Sequence, residues 1–237
     1  GMHGHFASSM AMHKADCIIS LGVRFNDRAT GNREKFAKTA KIVHIDVDGS
    51  ELAKTVNPAH ALRGDVKETL QKLIARLAPA KHTEWWKTIE KLREEEYNTG
   101  DNRDGLTPRR AIETLNQYLN PNTPVATDVG QHQMWAAQYL NFKNSRRFIS
   151  SGGLGTMGYG LPGAIGAKIG NPDVPVISIS GDGGMQMNIQ EFATAVLEEL
   201  PLILCVFNNT YLGMVRQWQT LFYGKRYSMT NLRSGAA

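Results

Sequence analysis

The chain has 237 residues, 41% of them hydrophobic, and a formal net charge of +5. This size and apolar content suffice for one large α/β domain or for two smaller units with their own cores. We find neither a membrane-spanning run nor a signal-peptide pattern, so we expect a cytoplasmic protein with no membrane partner. Its basic residues alternate with acids, as in EKLREEEY, which argues against a nucleic-acid partner.

The first 80 residues are predicted to contain strand, loop, strand and helix. ADCIISLGV (15–23) and KIVHIDV (41–47) are typical of buried strands, and LQKLIARL (70–77) has apolar residues at helical spacing. Cys17 lies in the first of these runs and Cys205 in the later run LILCVF. We therefore predict that both are reduced thiols in a core.

A charged segment separates this region from the rest of the chain. Residues 83–98 are predicted to be helical, and TGDNRDGLTP (99–108) is rich in turn-forming residues. The sequence thus indicates a first unit over 1–80, a helical linker over 81–105 and a second unit over 106–237.

Strand and helix patterns alternate regularly in the second unit. The strand patterns are VATDV, RRFIS, VPVISIS and LILCVF; helix patterns begin at Thr107-Pro108, GQHQMW, GYGLPG, NIQEF and GMVRQWQ. This alternation predicts an α/β fold with a doubly wound parallel sheet, whose ligands bind outside the carboxyl ends of the strands. No G-x-G-x-x-G opens a helix after a suitable strand, which disfavours a nicotinamide-dependent dehydrogenase.

The motif Gly181-Asp182-Gly183 follows one strand, and Asn208-Asn209 follows the next. In a parallel sheet the two turns should be neighbours, so that Asp182 supplies an anionic oxygen and the second turn supplies amide and carbonyl oxygens. This donor set suits Mg²⁺, which completes its octahedron with phosphate oxygens and water. A glycine-flanked acid alone is common in turns, but the pairing predicts a metal that bridges the protein to a diphosphate.

GDG and NN at this spacing are typical of thiamine diphosphate enzymes. Together with SGGLGTMGYGLPGAIG and TYLGMVRQWQ, they make nearly the whole chain resemble the family of acetohydroxyacid synthase (acetolactate synthase) catalytic subunits. GMHGHFASSMAMHKADCIISLGVRFNDRATGN and HIDVDGSEL resemble the part of that family's central domain that holds FAD. The implied fold is a thiamine diphosphate-binding domain preceded by part of a Rossmann-like central domain.

The resemblance implies that Mg²⁺ is bound by Asp182, the Asn209 side chain and the Tyr211 carbonyl. It also implies further positions that contact thiamine diphosphate, namely Gln131, His132, Met157, Gly181, Gly183 and Met214, and places Trp218 in the substrate pocket. Met157 matches the apolar wedge that keeps the cofactor folded. Alternatives remain, because both methionines and Trp218 are also plausible packing residues, and His132 is equally explained as a histidine without chemical duty.

The implied FAD-contacting stretches, 3–25 and 46–65, include His3, Arg24, Asp46 and Asp65. By charge, Arg24 is a candidate phosphate partner, and Asp46 ends a strand where a Rossmann-like unit places its ribose-binding acid. A surface charge for Arg24 and a turn acid for Asp46 remain as alternatives. The neighbouring Asp27 and Arg28 are equally explained by a structural ion pair.

The implied activity is the decarboxylating condensation of two 2-keto acids, pyruvate with pyruvate or 2-ketobutyrate, in branched-chain amino-acid biosynthesis. In that family a glutamate of an amino-terminal pyrimidine-binding domain assists the cofactor. No residue here matches it, so the catalytic residue is unassigned and the chain resembles an incomplete subunit. The resemblance also implies a homo-oligomer and a possible regulatory subunit.

Two alternatives stay open: another thiamine-dependent decarboxylase or carboligase, and a non-catalytic cofactor-binding module that needs a partner chain. The sequence also departs from the family after GDG, where a Ser-Phe pair is expected and Gly184-Met185 stand instead. We predict that this change alters packing near the metal without removing a ligand.

Overall fold

The computed structural model describes residues 1–98 and 104–233, with the side chains of 97 and 98 excluded. The chain divides into two compact units, Gly1–Asn102 and Arg103–Ala237. The helix predicted in the linker is present as α4, Thr83–Asn98, and it falls within the first unit. The turn-rich run that follows includes residues 99–103, which lie outside the described residues.

The first unit is built on a parallel sheet in the order β1-β2-β3. Its strands are β1 Cys17–Leu21, β2 Lys41–Asp46 and β3 His60–Arg63, and its other helices are α1 Phe6–Lys14, α2 Asp27–Thr30 and α3 Val66–Ile74. The Glu96 carboxylate of α4 accepts hydrogen bonds from the first N–H groups of α1, including that of Phe6 at 2.8 Å. This contact joins α4 to α1.

The prediction of a buried core thiol is wrong for Cys17. Along β1 the alternate side chains of Cys17, Ile19 and Leu21 are exposed, whereas those of Ile18 and Ser20 point to the other face and are at least partly buried. One face of the first sheet is therefore uncovered at this strand, and Cys17 lies on that face. Cys205 is half-buried, and burial raises the pKa of its thiol. Both cysteines are free thiols.

The second unit contains the predicted parallel sheet, in the order β5-β4-β6-β7. Its strands are β4 Val125–Thr127, β5 Phe148–Ser150, β6 Ile177–Gly181 and β7 Ile203–Phe207. The helices are α5 Pro108–Asn116, α6 Gln131–Tyr139, α7 Gly160–Ile169, α8 Asp182–Met187, α9 Phe192–Leu197 and α10 Gly213–Phe222, with a 3₁₀ turn at Ile189–Glu191. Sequence and structure therefore agree on a doubly wound α/β fold.

Helices cover both faces of this sheet. Val125 of β4 packs with Ile112 of α5 and Ala136 of α6, whereas the next residue, Ala126, packs with Ala164 of α7. Successive strand residues point to opposite faces, so a sheet covered on both sides needs nearly continuous apolar strands. This explains why the strands of this unit are apolar runs.

Local hydrogen bonds set the helix ends. Thr107 caps α5 by accepting the N–H of Arg110, and Pro108 occupies the first turn, as the sequence predicts. The long helix expected in NIQEFATAVLEEL is instead a 3₁₀ turn followed by the short helix α9. Among the described residues, none of the helices combines the length and apolar character required to cross a membrane.

Candidate functional site

The polar turns that follow β6 and β7 are in direct contact. Gly181, the last residue of β6, pairs with Phe207 of β7, which brings the two carboxyl ends side by side. The backbone N–H of Thr210 then donates to Oδ2 of Asp182 at 2.8 Å. Within the second turn, Oδ1 of Asn209 accepts the N–H of Tyr211 at 2.9 Å. The GDG and NN motifs therefore form one continuous polar surface.

The oxygen atoms at this surface fit a hard divalent cation. Within the described residues, Oδ1 of Asp182 and the carbonyl oxygen of Tyr211 accept no hydrogen bond. No group of three or more His, Cys, Asp or Glu side chains able to hold a metal occurs in the described part of the chain. A cation here would have one carboxylate and neutral oxygens as protein ligands, so a phosphate-bearing molecule would have to complete its coordination.

A cleft with a cavity volume of about 100 Å³ opens beside the two turns. Predicted residues that line it are Gln131, His132, Met157, Gly181, Asp182, Gly183, Asn209, Tyr211 and Met214. Trp218 is not among the lining residues; its ring packs on Phe222 at 5.0 Å between centroids. The structure thus brings the predicted thiamine and metal residues to one place, but leaves Trp218 on an exposed part of α10.

The two glycines of the GDG motif lie in close packing. A Cβ atom on Gly181 would lie 3.0 Å from Nδ1 of His132, and one on Gly183 would lie 2.9 Å from a methyl carbon of Leu212. Both distances are too short for a normal contact. Any side chain at these positions would therefore displace the residues that line the cleft.

His132 presents a buried polar atom to this cleft. Its Nε2 atom is buried and has no hydrogen-bond partner within the described residues. Burial lowers the pKa of His132, although the charges of Asp128 and Asp182 and the Asp128 carbonyl oppose that shift. The imidazole is therefore neutral near pH 7, and its unpaired nitrogen suits a polar ligand.

Helix α10 closes one side of the cleft. The side-chain amide of Gln131, at the start of α6, donates to Oε1 of Gln217 in α10 at 3.0 Å. Gly213, at the start of α10, has no room for a Cβ atom because the Gln131 side chain occupies that space. Gln131 therefore joins two helices that border the cleft.

Asp128 is a site residue to which sequence reasoning assigned no role. It follows β4, is 1% exposed, and accepts backbone hydrogen bonds from Val129, Gly158 and Gly160. Its position next to the Met157 segment brings it to the edge of the cleft. The one available signal was an acid at the end of the apolar strand VATDV.

Three of the predicted FAD-contacting residues lie at the carboxyl edge of the first sheet. Arg24 follows β1, Asp46 ends β2 and Asp65 follows β3, and these parallel strands end on the same side. Asp46 is buried, whereas Arg24 and Asp65 are exposed. His3 lies in the amino-terminal segment, which bonds to helix α2 because the N–H of Met2 donates to the Arg28 carbonyl at 2.9 Å.

Some of these residues also have structural roles. Asp65 caps α3 by accepting the N–H of Glu68 at 3.0 Å, and Asp46 accepts the N–H of Asp48 at 2.8 Å. The side chains of Asp27 and Arg28 form an ion pair, in agreement with the structural alternative for that pair.

Comparison with known proteins assigns both units to one class. Residues 1–73 match the family described as thiamine pyrophosphate enzyme, central domain, and residues 128–235 match thiamine pyrophosphate enzyme, C-terminal TPP binding domain. The chain belongs to the thiamine pyrophosphate enzyme family. The fold and the cofactor class predicted from the motifs are thereby confirmed.

Within this family the chain is similar to acetolactate synthases. It is 42% identical to the acetolactate synthase isozyme 3 large subunit of Escherichia coli K12 over 99% of the chain and 42% of that relative. It is 43% identical to the acetolactate synthase large subunit of Corynebacterium glutamicum over 99% of the chain and 38% of the relative. Identity to the acetolactate synthase of Mycobacterium leprae is 42% over 98% of the chain and 38% of the relative. The chain spans about two fifths of the length of these curated relatives.

Proposed function

We propose that this chain forms the thiamine diphosphate- and Mg²⁺-binding part of an acetolactate synthase catalytic subunit. The observation that carries the proposal is the contact of Asp182 with the Asn209–Tyr211 turn at the edge of the cleft. The names of the similar proteins support acetolactate synthase over other thiamine enzymes. The complete enzyme would join two 2-keto acids, one of them pyruvate, with loss of CO₂.

In this proposal the metal is held by Asp182, the Asn209 side chain and the Tyr211 carbonyl, and it joins the protein to the diphosphate. Gln131 and His132 open helix α6, whose first N–H groups and positive dipole end favour phosphate. Thiamine diphosphate, when bound, supplies the electron sink that decarboxylation of a 2-keto acid requires.

Met157 and Met214 supply apolar surface to the same cleft. Such a wall excludes water from the reacting atoms and orients the aromatic parts of the cofactor. We assign Met157 to the wedge beneath the cofactor and Met214 to the pocket wall. Trp218 would act on the choice of the second 2-keto acid only after a movement of α10, because it is not among the residues that line the cleft.

The first unit is proposed to contribute to FAD binding through His3, Arg24, Asp46 and Asp65. The convergence of Arg24, Asp46 and Asp65 at one sheet edge supports a site for a charged ligand. The large-subunit names of the relatives support a regulatory partner subunit. We also propose that the protein forms a homo-oligomer and that it is cytoplasmic.

Calorimetric titration of the 237-residue chain with thiamine diphosphate, with and without Mg²⁺, tests the cofactor site. We expect Mg²⁺-dependent binding that Asp182→Asn abolishes, because the substitution removes the anionic ligand. Asp173→Asn is the matched control, since Asp173 is an exposed acid in a turn of the same unit and should bind like the wild type. Binding that needs no Mg²⁺, or that survives Asp182→Asn unchanged, contradicts the metal assignment.

The reaction itself needs a separate test. The full-length protein should convert pyruvate into acetolactate and CO₂. Turnover of pyruvate without acetolactate would leave the cofactor site intact but overturn the proposed activity.

A further inference from the structure

Asp128 is a buried carboxylate that binds only backbone groups in the described structure. Oδ1 accepts the N–H of Val129 at 2.6 Å and that of Gly158 at 3.1 Å. Oδ2 accepts the N–H of Gly158 at 2.9 Å and that of Gly160 at 3.1 Å. Both oxygens are thereby occupied by fixed N–H donors, which compensate the loss of water around the charge.

These donors belong to the segment that carries Met157. Residues 151–159, here called the Met157 loop, lead into helix α7, whose first residue is Gly160. Gly158 has a φ of +88°, a conformation open to glycine, which turns its N–H towards Asp128. The carboxylate therefore lies at the start of α7, where the helix dipole also favours a negative charge.

Close packing leaves Asp128 little freedom to move. A Cβ atom on Gly184, in helix α8, would lie 2.5 Å from Oδ1 of Asp128. One on Gly160 would lie 2.9 Å from the Asp128 Cβ atom. Gly160 of α7 and Gly184 of α8 thus leave space for the Asp128 carboxylate. Close packing therefore explains why glycine occupies position 184, where the family resemblance predicts serine.

We propose that Asp128 is a positioning residue that anchors the Met157 loop to the end of β4 and so fixes Met157 in the cleft. The inference rests on the proposed function, in which Met157 supports the cofactor. Asp128 acts through the loop and contacts neither metal nor substrate in this account. Asn188 supports the same turn from the other side, because its side-chain amide donates to the Gly158 carbonyl at 2.8 Å.

The oxygens of Asp128 serve three N–H donors, because the Gly158 N–H is shared between Oδ1 and Oδ2. An asparagine with its carbonyl oxygen in the Oδ2 position would still accept the N–H groups of Gly158 and Gly160. Asp128→Ala removes both acceptor oxygens and leaves all three N–H groups without this partner. The same substitution at the exposed Asp173 removes one charge and disturbs no such arrangement.

Amide hydrogen exchange in the cofactor-free chain tests the anchor directly. We expect Gly158 and Gly160 to exchange slowly in the wild type, and about tenfold or more faster in Asp128→Ala. Asp173→Ala should leave both rates unchanged. Wild-type rates at Gly158 and Gly160 as fast as that of Gly153, or protection that survives in a folded Asp128→Ala, overturn the proposal. If Asp128→Ala does not fold, Asp128→Ser, which also removes the carboxylate, replaces it with the same expectation.

A double-mutant cycle tests the connection to Met157. Thiamine diphosphate affinity is measured with Mg²⁺ for the wild type, Asp128→Ala, Met157→Ala and the double variant. If Asp128 acts through Met157, the double variant binds no more weakly than the weaker single variant; fully additive losses overturn the connection. A wild type that does not bind would refute the proposed cofactor site of this chain, whereas the exchange measurement would still decide the anchor.

Discussion

Thr210 holds its backbone at a φ of +61°, a region that β-branched residues avoid. This conformation directs its N–H at Asp182, while its own Oγ1 atom is buried without a hydrogen-bond partner in the described part of the chain. Strain of this kind is maintained only where surrounding contacts enforce it, and it is common at functional sites. The strained conformation of Thr210 therefore lowers the stability of the turn while it directs the Thr210 N–H at the Asp182 carboxylate.

We expect Thr210→Gly to raise the free energy of unfolding of the cofactor-free chain by about 1 kcal/mol. Relief of roughly 1–2 kcal/mol of backbone strain exceeds the entropic cost of glycine, about 0.5–1 kcal/mol, and the unpaired hydroxyl is also removed. Thermal or urea unfolding measures the change. Asp173→Gly is the control, because Asp173 is exposed in a turn and is not among the residues with a positive φ, so that glycine there brings only its entropic cost. A loss of stability in Thr210→Gly as large as that in Asp173→Gly would contradict the account of strain.

Sequence reasoning identified the residues that act through their side chains and belong to motifs of fixed spacing. Asp182 and Asn209 were predictable because parallel strands end on one side, so acids and amides at successive ends must meet. Asp128 was not predictable, because its partners are backbone N–H groups whose direction depends on the positive φ of Gly158. Trp218 was placed in the pocket by resemblance, but the orientation of α10 leaves it outside the lining.

Helix α10 is connected to the Asn209–Tyr211 turn by an arginine between two tyrosines. The guanidinium of Arg216 lies 4.5 Å from the ring centre of Tyr211 and 4.0 Å from that of Tyr227. The segment after α10 returns to this turn, where the N–H of Leu212 donates to Thr230 at 2.9 Å. The N–H of Leu232 donates to the Thr210 carbonyl, also at 2.9 Å. Arg216 thus couples α10, the turn and the returning segment.

Replacement of Arg216 by methionine should loosen the returning segment. We expect the amide exchange of Leu212 and Leu232 to rise roughly fivefold, the effect of losing about 1 kcal/mol of cation–π attraction. Arg226→Met is the matched control, because Arg226 is exposed and its guanidinium donates to the nearby Tyr223 carbonyl at 3.1 Å. Equal amide exchange rates of Leu212 and Leu232 in Arg216→Met and Arg226→Met would show that the Arg216 guanidinium does not hold the segment that follows α10.

At the level of elements, strands of the second unit were easier to predict than its short helices. Runs such as VPVISIS are apolar throughout because both faces of the sheet are covered, so their pattern was unambiguous. Strand β3, HALR, was missed because its four residues are all exposed and show no apolar pattern. The short helix α8 was not predicted, because its GDGG start has the composition of a turn. The 3₁₀ turn at Ile189–Glu191 was predicted as the start of a helix because it has helical composition.

For the whole molecule, the two units present acids at the carboxyl edges of two separate parallel sheets. Asp46 and Asp65 lie at the edge in the first unit, and Asp182 lies at the edge in the second. The acid of the second unit stands beside amide and carbonyl oxygens that line a cleft with an apolar wall. We therefore propose that a divalent cation binds in the second unit, between the turns after β6 and β7.

The most direct test is paramagnetic line broadening in the ¹⁵N-labelled chain, with Mn²⁺ in place of Mg²⁺ and thiamine diphosphate present. The account predicts that the amide signals of Gly183, Thr210 and Tyr211 broaden first, and that the effect disappears in Asp182→Asn. Broadening that begins instead at Asp46 and Asp48 of the first unit, or that persists at the second-unit turns in Asp182→Asn, would contradict it.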